Sequence, residues 1–288
     1  MKSGIVALAG RSNVGKSTLL NALVGTKIAI TSPKPQTTRE AVRGILNDPR
    51  GQAVLIDAPG ILESARDPLT RSVNEAARAA LKGVDVICYV VDPTRSIGTE
   101  EHRIHALLRN STTKKILVRN KADLPERERP HLDAYHDLAF GDANPAFIAE
   151  VDVSALKGQH LKALVDLLFD ALPEGELLYD PHQLSDIPQR MWLAELVREK
   201  VFLVMHQEIP YTVTVEVDDI AIREHGVIYV AARIITTNDR YRKMLIGAGA
   251  QRVKQIGQMV RKELELATSK RAYIELHVVT DPKWQDRL

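Results

Sequence analysis

The sequence predicts two domains, an α/β domain with a mostly parallel sheet followed by a smaller α+β domain. Three observations lead to this fold class. The length of 288 residues suits about two domains. Apolar, strand-like runs alternate with helical patterns through the first half of the chain. A stretch containing prolines and a glycine, beginning at residue 173, then separates this half from a second one with a different order of elements.

The first domain is predicted to cover residues 1–172. Its predicted strands cover 5–9, 53–56, 86–91, 115–118 and 146–151. Its predicted helices cover 17–24, 69–81, 100–109, 132–138 and 161–172. Continuous apolar strands separated by helices are typical of a parallel sheet covered on both faces.

Residues 173–188 are predicted to be a linker, because prolines and a glycine interrupt any regular pattern there. The second domain, 189–288, is predicted to follow the order α-β-β-α-α-β. Its predicted elements cover 189–205, 211–217, 227–235, 240–246, 251–266 and 272–279.

Composition excludes several classes of protein. The net charge of +2 argues against a polyanion partner that covers the whole surface, and 44% hydrophobic residues exclude whole-chain disorder. The single cysteine, Cys88, excludes an intramolecular disulfide, fits a reducing compartment and is expected to be a small buried hydrophobe. No apolar run approaches the roughly 18 residues of a spanning helix, and no signal peptide is recognised at the N-terminus. We therefore expect a cytosolic protein, while composition leaves peripheral membrane contact open.

The first predicted strand runs into a loop that matches G-x-x-x-x-G-K-[ST] at every fixed position. Such a loop turns backbone N–H groups around phosphate oxygens, and the following helix adds the positive end of its dipole. Lys16 is expected to reach the β- and γ-phosphates, and the Ser17 hydroxyl to bind Mg²⁺. A chance glycine turn is the alternative, which the strand–loop–helix context disfavours. The predicted phosphate-binding residues are Gly10, Arg11, Ser12, Asn13, Val14, Gly15, Lys16, Ser17 and Thr18.

A second motif, Asp57-Ala58-Pro59-Gly60, ends the second predicted strand. Asp57 is expected to bond a water molecule of Mg²⁺, and the Gly60 N–H to meet the γ-phosphate. Alone, this pattern is a weak signal, because a plain turn also fits it. Its position after a phosphate loop favours the nucleotide site.

A third motif, Asn120-Lys121-Ala122-Asp123, follows the fourth predicted strand and predicts a guanine site. A carboxylate at Asp123 accepts hydrogen bonds from guanine N1–H and the exocyclic amine, a pair of donors that adenine lacks. Ser154-Ala155-Leu156, after the fifth strand, is expected to offer a backbone N–H to guanine O6. Taken alone, this tripeptide fits a helix cap equally well.

Together these motifs resemble a Ras-like GTPase over residues 1–172. The resemblance implies GTP and GDP as ligands, Mg²⁺ as cofactor and GTP hydrolysis as the activity. It also implies that Thr38 completes the Mg²⁺ shell, with Thr37 as the alternative. The residues expected to take part in catalysis are Asn13, Lys16, Thr38 and Gly60.

Ile61 stands where Ras-like enzymes that position water with a glutamine carry it. Isoleucine cannot orient water, so slow intrinsic turnover is expected. In related GTPases with a hydrophobic residue here, a phosphate-loop asparagine can hold K⁺ in place of an arginine finger, and Asn13 has that position. Potassium activation is therefore a hypothesis, the alternative being that Asn13 only stabilises the loop. Equal turnover in sodium and in potassium would contradict the hypothesis of potassium activation.

Gly247-Ala248-Gly249-Ala250 lies between two predicted helices of the second domain. It resembles the G-x-x-G loop of a type II KH domain, whose backbone approaches four nucleotides of single-stranded RNA. From residue 233 to 271 there are ten basic and three acidic residues, a net charge of +7. A solvated helix face is the alternative explanation of this charge. The predicted RNA-binding residues are Ile246, Gly247, Ala248, Gly249, Ala250, Arg252 and Lys254.

A P-loop GTPase domain followed by a type II KH domain resembles the bacterial Era family over nearly the whole chain. Specific marks are S-P-K-P-Q-T-T-R at 32–39, L-P-E-G at 172–175 and H-Q-E-I-P-Y at 206–211. The resemblance implies binding near the 3′ end of 16S rRNA, assistance in assembly of the 30S subunit, and a cytoplasmic location with peripheral contact to the cell membrane. We expect a monomer without a DNA partner. The alternative is an assembly or signalling GTPase whose KH-like domain binds protein rather than RNA.

Overall fold

The computed structural model describes residues 1–32, 34, 38–60, 68–141, 146–205 and 209–287. These residues form two compact units, Met1–Asp186 and Ile187–Leu288. Thr37 and Ile61 lie outside the described residues. So do residues 33, 35–36 and 206–208, which belong to the sequence segments that resemble the Era family.

The first unit is an α/β domain. Its strands are β1 (Lys2–Ala9), β2 (Val42–Asp48), β3 (Gly51–Asp57), β4 (Val86–Val91), β5 (Lys114–Arg119) and β6 (Phe147–Asp152). Its helices are α1 (Lys16–Val24), α2 (Pro68–Ala79), α3 (Thr99–Arg109), α4 (Leu132–Phe140) and α5 (Leu161–Ala171). The sheet has the order β2-β3-β1-β4-β5-β6, and all neighbours are parallel except β2 and β3. The predicted mostly parallel sheet is therefore confirmed.

Strand β2 has no counterpart in the sequence analysis. It is an edge strand with exposed and buried positions mixed, and a glycine, Gly44, interrupts it. Both features weaken the pattern of a strand. Its seven residues pair antiparallel with β3 from Val42 opposite Asp57 to Asp48 opposite Gly51.

The centre of the sheet is apolar on both faces, because helices cover both. Every residue of β3 and of β4 is buried. Cys88 in β4 is fully buried, as the sequence predicts, and burial raises the pKa of its thiol to about 12. The thiolate is thus suppressed, which makes this cysteine a packing residue.

The second unit has the predicted order α-β-β-α-α-β. Its elements are α6 (Gln189–Val204), β7 (Val213–Ile222), β8 (Ile228–Thr236), α7 (Asp239–Ile246), α8 (Gln251–Thr268) and β9 (Ala272–Thr280). The sheet has the order β7-β8-β9, with β7 antiparallel and β9 parallel to β8. Ile256, Val260 and Leu264 form the buried stripe of α8 that contributes to the core. Among the described helices of either unit, none combines the length and apolar character needed to cross a membrane.

Candidate nucleotide and RNA sites

The predicted nucleotide-binding loops meet at one edge of the first sheet. Each loop follows the carboxyl end of a strand, and these ends lie side by side in a parallel sheet. A cleft of about 500 Å³ opens there. The predicted residues that line it are Ser12, Asn13, Gly15, Lys16, Ser17, Thr18, Thr38, Gly60 and Lys121. The sequence analysis did not name five other lining residues as ligands, namely Ile30, Thr31, Ser32, Asp92 and Arg95.

The phosphate loop is closed around the ammonium group of Lys16. This side chain is 6% exposed, and its Nζ donates to the carbonyl oxygens of Gly10 and Arg11, each at 2.9 Å. Burial lowers the pKa of Lys16, while the charge of Asp57 opposes that shift. Gly15 has a φ of 102°, and a Cβ there would lie 2.2 Å from the Asn120 Nδ2. Only glycine fits this close approach.

Arg11 faces away from the cleft. Its Nη1 donates to Glu101 Oε1 at 2.8 Å, and its Nε lies 3.3 Å from Glu100 Oε2, both on α3. Glu101 is 2% exposed and also accepts a hydrogen bond from the Gly98 N–H at the start of this helix. The Arg11 side chain therefore anchors the phosphate loop to α3, and only its backbone remains for a phosphate.

The three residues predicted to bind Mg²⁺ converge. The Ser17 Oγ lies 2.5 Å from Asp57 Oδ2 and 3.0 Å from Thr38 Oγ1. Asp57 is fully buried, and within the described part of the chain its Oδ1 has no hydrogen-bond partner. Burial raises the pKa of this carboxyl, opposed by the charge of Lys16. A buried carboxylate with a free oxygen beside two hydroxyl groups fits the all-oxygen surroundings that Mg²⁺ prefers.

Gly60 lies directly against the phosphate loop. A Cβ at this position would lie 2.5 Å from the Ser12 Oγ and 2.7 Å from the Ser12 nitrogen. The preceding residues of the motif, Ala58 and Pro59, are buried and do not line the cleft. Within this motif, Gly60 is therefore the residue that borders the cleft.

Asn120 joins two loops of the predicted guanine site. Its Nδ2 donates to the Val14 carbonyl at 2.8 Å, and its Oδ1 accepts from the Ala155 N–H at 3.0 Å. Asp123 Oδ1 accepts a 2.6 Å hydrogen bond from the Ser154 hydroxyl. Leu156 is 75% exposed. Asn120 and Ser154 thus hold the loops of this site in place, and Asp123 carries the carboxylate that is predicted to face the base.

Asp92 is a site residue that the sequence analysis missed. It follows β4 directly, is 1% exposed, and its Oδ2 lies 2.5 Å from the Lys121 Nζ. Its other oxygen accepts hydrogen bonds from the backbone N–H and the hydroxyl of Thr94. Lys121 has a left-handed backbone, with a φ of 67°. The sequence carries a signal for it, because a polar residue directly follows the apolar strand β4 at the edge of the sheet where the predicted loops meet.

The predicted RNA-binding loop has left-handed backbone at three of its four residues. The φ angles are 73° at Gly247, 56° at Gly249 and 61° at Ala250. Arg252 donates from Nη1 to the Met244 carbonyl at 2.9 Å, and Lys254 is exposed. A groove of about 360 Å³ lies between α8 and β9. Its lining residues are Val253, Lys254, Gly257, Gln258, Arg261 and Tyr273–Leu276.

Ala250→Gly is expected to raise the free energy of unfolding by roughly 0.5–1 kcal/mol. A left-handed conformation costs an L-residue roughly 1–2 kcal/mol, and the added freedom of glycine in the unfolded chain removes part of that gain. Ala248→Gly is the control, because Ala248 lies in the same loop without a positive φ and should lose stability. Chemical denaturation measures both. Equal effects of the two substitutions would contradict strain at Ala250.

Two family models match the chain. Residues 5–121 match the family described as "50S ribosome-binding GTPase", and residues 208–284 match the KH domain. The chain is 35% identical to GTPase Era of Halothermothrix orenii over 99% of this chain and 95% of that protein. It is 39% identical to GTPase Era of Geobacter sp. strain M21 over 99% of this chain and 94% of that protein. The chain belongs to the GTPase Era family.

Two solved structures of Era relatives match the chain along its whole length. Crystal structures exist of an Aquifex aeolicus Era variant bound to GDP and AlF4⁻, and of Era with MgGDPNP and nucleotides 1506–1542 of 16S ribosomal RNA. Their TM-scores are 0.92 and 0.93, and each is 36% identical, covering 100% of this chain and 96% of its own. The predicted Era family, the GTPase-plus-KH fold class and the GTPase activity are thereby confirmed.

Proposed function

We propose that this Era-family GTPase binds GTP and GDP with Mg²⁺ in the cleft, and single-stranded 16S rRNA near its 3′ end at the KH loop. The observation that carries the nucleotide site is the convergence of Ser17, Thr38 and Asp57 beside Lys16. The proposal also draws support from the Era relative bound to MgGDPNP and an rRNA fragment.

In the proposed reaction, each residue of the cleft has a distinct role. The Lys16 Nζ exchanges its two carbonyl partners for β- and γ-phosphate oxygens. Ser17 and Thr38 would hold Mg²⁺ through their hydroxyl groups, and Asp57 through a water molecule. When held there, Mg²⁺ would supply positive charge against the charge that develops on the phosphates. Gly60 offers its N–H to the γ-phosphate, so its position depends on which nucleotide is bound.

Two further residues of the proposed site would bind the guanine base and a monovalent cation. Asp123, held by the Ser154 hydroxyl, selects guanine through its carboxylate. Asn13 lines the cleft with a left-handed φ of 64°. We retain the hypothesis that its side chain holds K⁺ near the phosphates, with the sodium–potassium comparison as its test.

The proposal also includes RNA binding by the KH domain. Its loop contains two glycines and Ala250, and the helix α8 that follows carries the exposed Lys254 on the groove. We further propose a role in assembly of the 30S subunit, as a monomer in the cytoplasm with peripheral contact to the inner face of the membrane.

Binding of an oligonucleotide with the 16S 3′-terminal sequence, measured against salt concentration, tests the RNA proposal. Affinity should fall steeply with salt, and Lys254→Gln should reduce the slope of log K against log salt by about 0.7, the value for one single-strand phosphate contact. Lys262→Gln is the matched control, because Lys262 is exposed on the same helix without lining the groove. The alternative of a protein-binding KH-like domain predicts no salt-dependent binding in any of the three proteins.

A further inference from the structure

The segment that the sequence marks as a linker is bonded to the GTPase domain for most of its length. Residues 173–186 belong to the first compact unit. We call this segment the strap. At its beginning, the Ser3 N–H donates to the Pro173 carbonyl at 3.0 Å, and the Gly175 N–H donates to the Met1 carbonyl at 2.9 Å. The strap therefore leaves α5 along β1.

The middle of the strap is held by one buried side chain. Gln52 of β3 is fully buried, and its Oε1 accepts hydrogen bonds from the N–H groups of Leu178 and Tyr179, each at 2.9 Å. Its Nε2 donates to the Tyr179 carbonyl at 3.0 Å. Because a buried amide is costly to leave without partners, these three bonds fix the strap on the sheet.

The end of the strap pairs with the outer edge of β2. Ser185 forms an antiparallel bridge with Gly44, and the Ile45 N–H donates to the Leu184 carbonyl at 2.8 Å. The Ser185 hydroxyl donates to the Arg43 carbonyl at 2.6 Å. The strap thereby satisfies backbone groups that an edge strand leaves open.

Side chains reinforce this pairing. The Arg43 Nη1 donates to Asp186 Oδ2 at 3.0 Å, and the Tyr179 hydroxyl donates to the same oxygen at 2.7 Å. The last residue of the strap is thus fixed both to β2 and to the middle of the strap.

Strand β2 follows a short segment, residues 38–41, which begins with a proposed Mg²⁺ ligand and is called the switch below. Thr38, the residue proposed to hold Mg²⁺ beside Ser17, precedes β2 by four residues. Asp186 precedes α6 by three residues, and Pro188 is the N-cap of that helix. The chain therefore runs from the switch into β2, and the strap bonded there leads directly into the KH domain.

We propose that the strap transmits the nucleotide state of the switch to the KH domain through its bonds to residues 43–45. Movement of Thr38 on γ-phosphate loss displaces the start of β2, and with it the end of the strap at Asp186. The affinity of the KH domain for RNA then depends on the nucleotide. This inference rests on the proposed function as a GTPase that binds RNA.

The double variant Arg43→Gln/Ser185→Ala tests the strap in the full chain. It removes the ion pair and the hydroxyl bond, and leaves the nucleotide cleft untouched. The Arg43 side chain is 53% exposed, so its ion pair contributes little to stability and the variant should fold. Arg50→Gln is the matched control, because Arg50 on the same hairpin pairs with Asp48 and Asp166, outside the strap.

The measurement is the affinity for the 16S 3′-terminal oligonucleotide with a nonhydrolysable GTP analogue and with GDP. In the wild type the two affinities should differ by at least about fivefold, the lower end of usual coupling between sites. In the double variant, the ratio of the two RNA affinities should fall below twofold, while the affinity of the protein for the GTP analogue itself stays unchanged. Arg50→Gln should keep the wild-type ratio. A double variant that keeps the wild-type ratio would contradict the proposal that the strap transmits the nucleotide state. A wild type with equal affinities would overturn the coupling as a whole.

Hydrogen exchange separates failure of the strap from failure of the RNA proposal. The amide of Ile45, bonded to Leu184, should exchange at different rates in the GTP-analogue and GDP states of the wild type, with no RNA present. If RNA does not bind but this difference is observed, the RNA function fails and the strap still responds to nucleotide. Identical exchange rates of the Ile45 amide in both states would contradict the proposed role of the strap, whatever the result of the RNA measurement.

Discussion

Asp123→Asn should lower the affinity for GTP by roughly 10²–10³-fold and create affinity for xanthosine triphosphate. The carboxylate is expected to accept two hydrogen bonds from guanine, and each bond to a charged group is worth about 1.5–3 kcal/mol. An asparagine accepts one of them and turns its own NH₂ group toward the exocyclic amine. Xanthine carries a carbonyl oxygen at that place, which accepts a hydrogen bond from the NH₂ group.

Ser154→Ala provides the matched control for this substitution. The Ser154 hydroxyl donates to Asp123 Oδ1 at 2.6 Å, so its removal loosens the carboxylate without changing its chemistry. GTP affinity should fall by about tenfold or less, since the loss is one positioning hydrogen bond, and no affinity for xanthosine triphosphate should appear. Competition against labelled GDP measures both variants. An Asp123→Asn protein that keeps wild-type GTP affinity would contradict the assignment of the guanine site.

Much of the nucleotide site was predictable, because the carboxyl ends of parallel strands meet at one edge of a sheet. Motifs after the strands β1, β3, β5 and β6 therefore had to come together. The Thr38 hydroxyl lies 3.0 Å from the Ser17 Oγ, which supports the choice made by resemblance. Because Thr37 lies outside the described residues, the choice between the two threonines stays a prediction.

Other features depend on contacts between distant parts of the chain and could not be predicted. The strap has the composition of a linker, and only its bonds to Gln52 and to residues 43–45 show that it belongs to the sheet. Strand β2 is recognised in the structure by its pairing with β3 and with the strap. The residues of β2 alone do not specify this pairing. The contact of the Arg11 side chain could not be predicted either, because local sequence does not reveal Glu101, which is 90 positions away.

Lys16→Met should lower kcat by roughly 10²–10³-fold, the usual cost of removing one electrostatic donor from a transition state. It should leave the free energy of unfolding within about 1 kcal/mol of the wild type. The ammonium group of Lys16 is buried among carbonyl oxygens, and methionine fills the same space without a charge that must be desolvated. Phosphate release measures turnover, and chemical denaturation of the nucleotide-free protein measures stability.

The two proteins should also differ in how stability depends on pH. Burial lowers the pKa of Lys16 below its ordinary value of 10.5, so the folded wild type releases this proton at a lower pH than the unfolded chain does. In that interval the unfolded state binds more protons, and stability contributed by this group rises with pH. Wild type should therefore gain stability relative to Lys16→Met as the pH increases toward 10.5.

Lys115→Met separates the effect of removing any buried lysine from the effect at the phosphate loop. Lys115 is fully buried at the start of β5, burial lowers its pKa, and its Nζ donates to the carbonyls of Ser111 and Thr113. It thus resembles Lys16 in burial and bonding, at the end of its strand away from the cleft. Lys115→Met should lose the same pH dependence and keep wild-type kcat. Equal loss of turnover in both variants would mean that Lys16 acts through folding, and its proposed contact with the phosphates would be wrong.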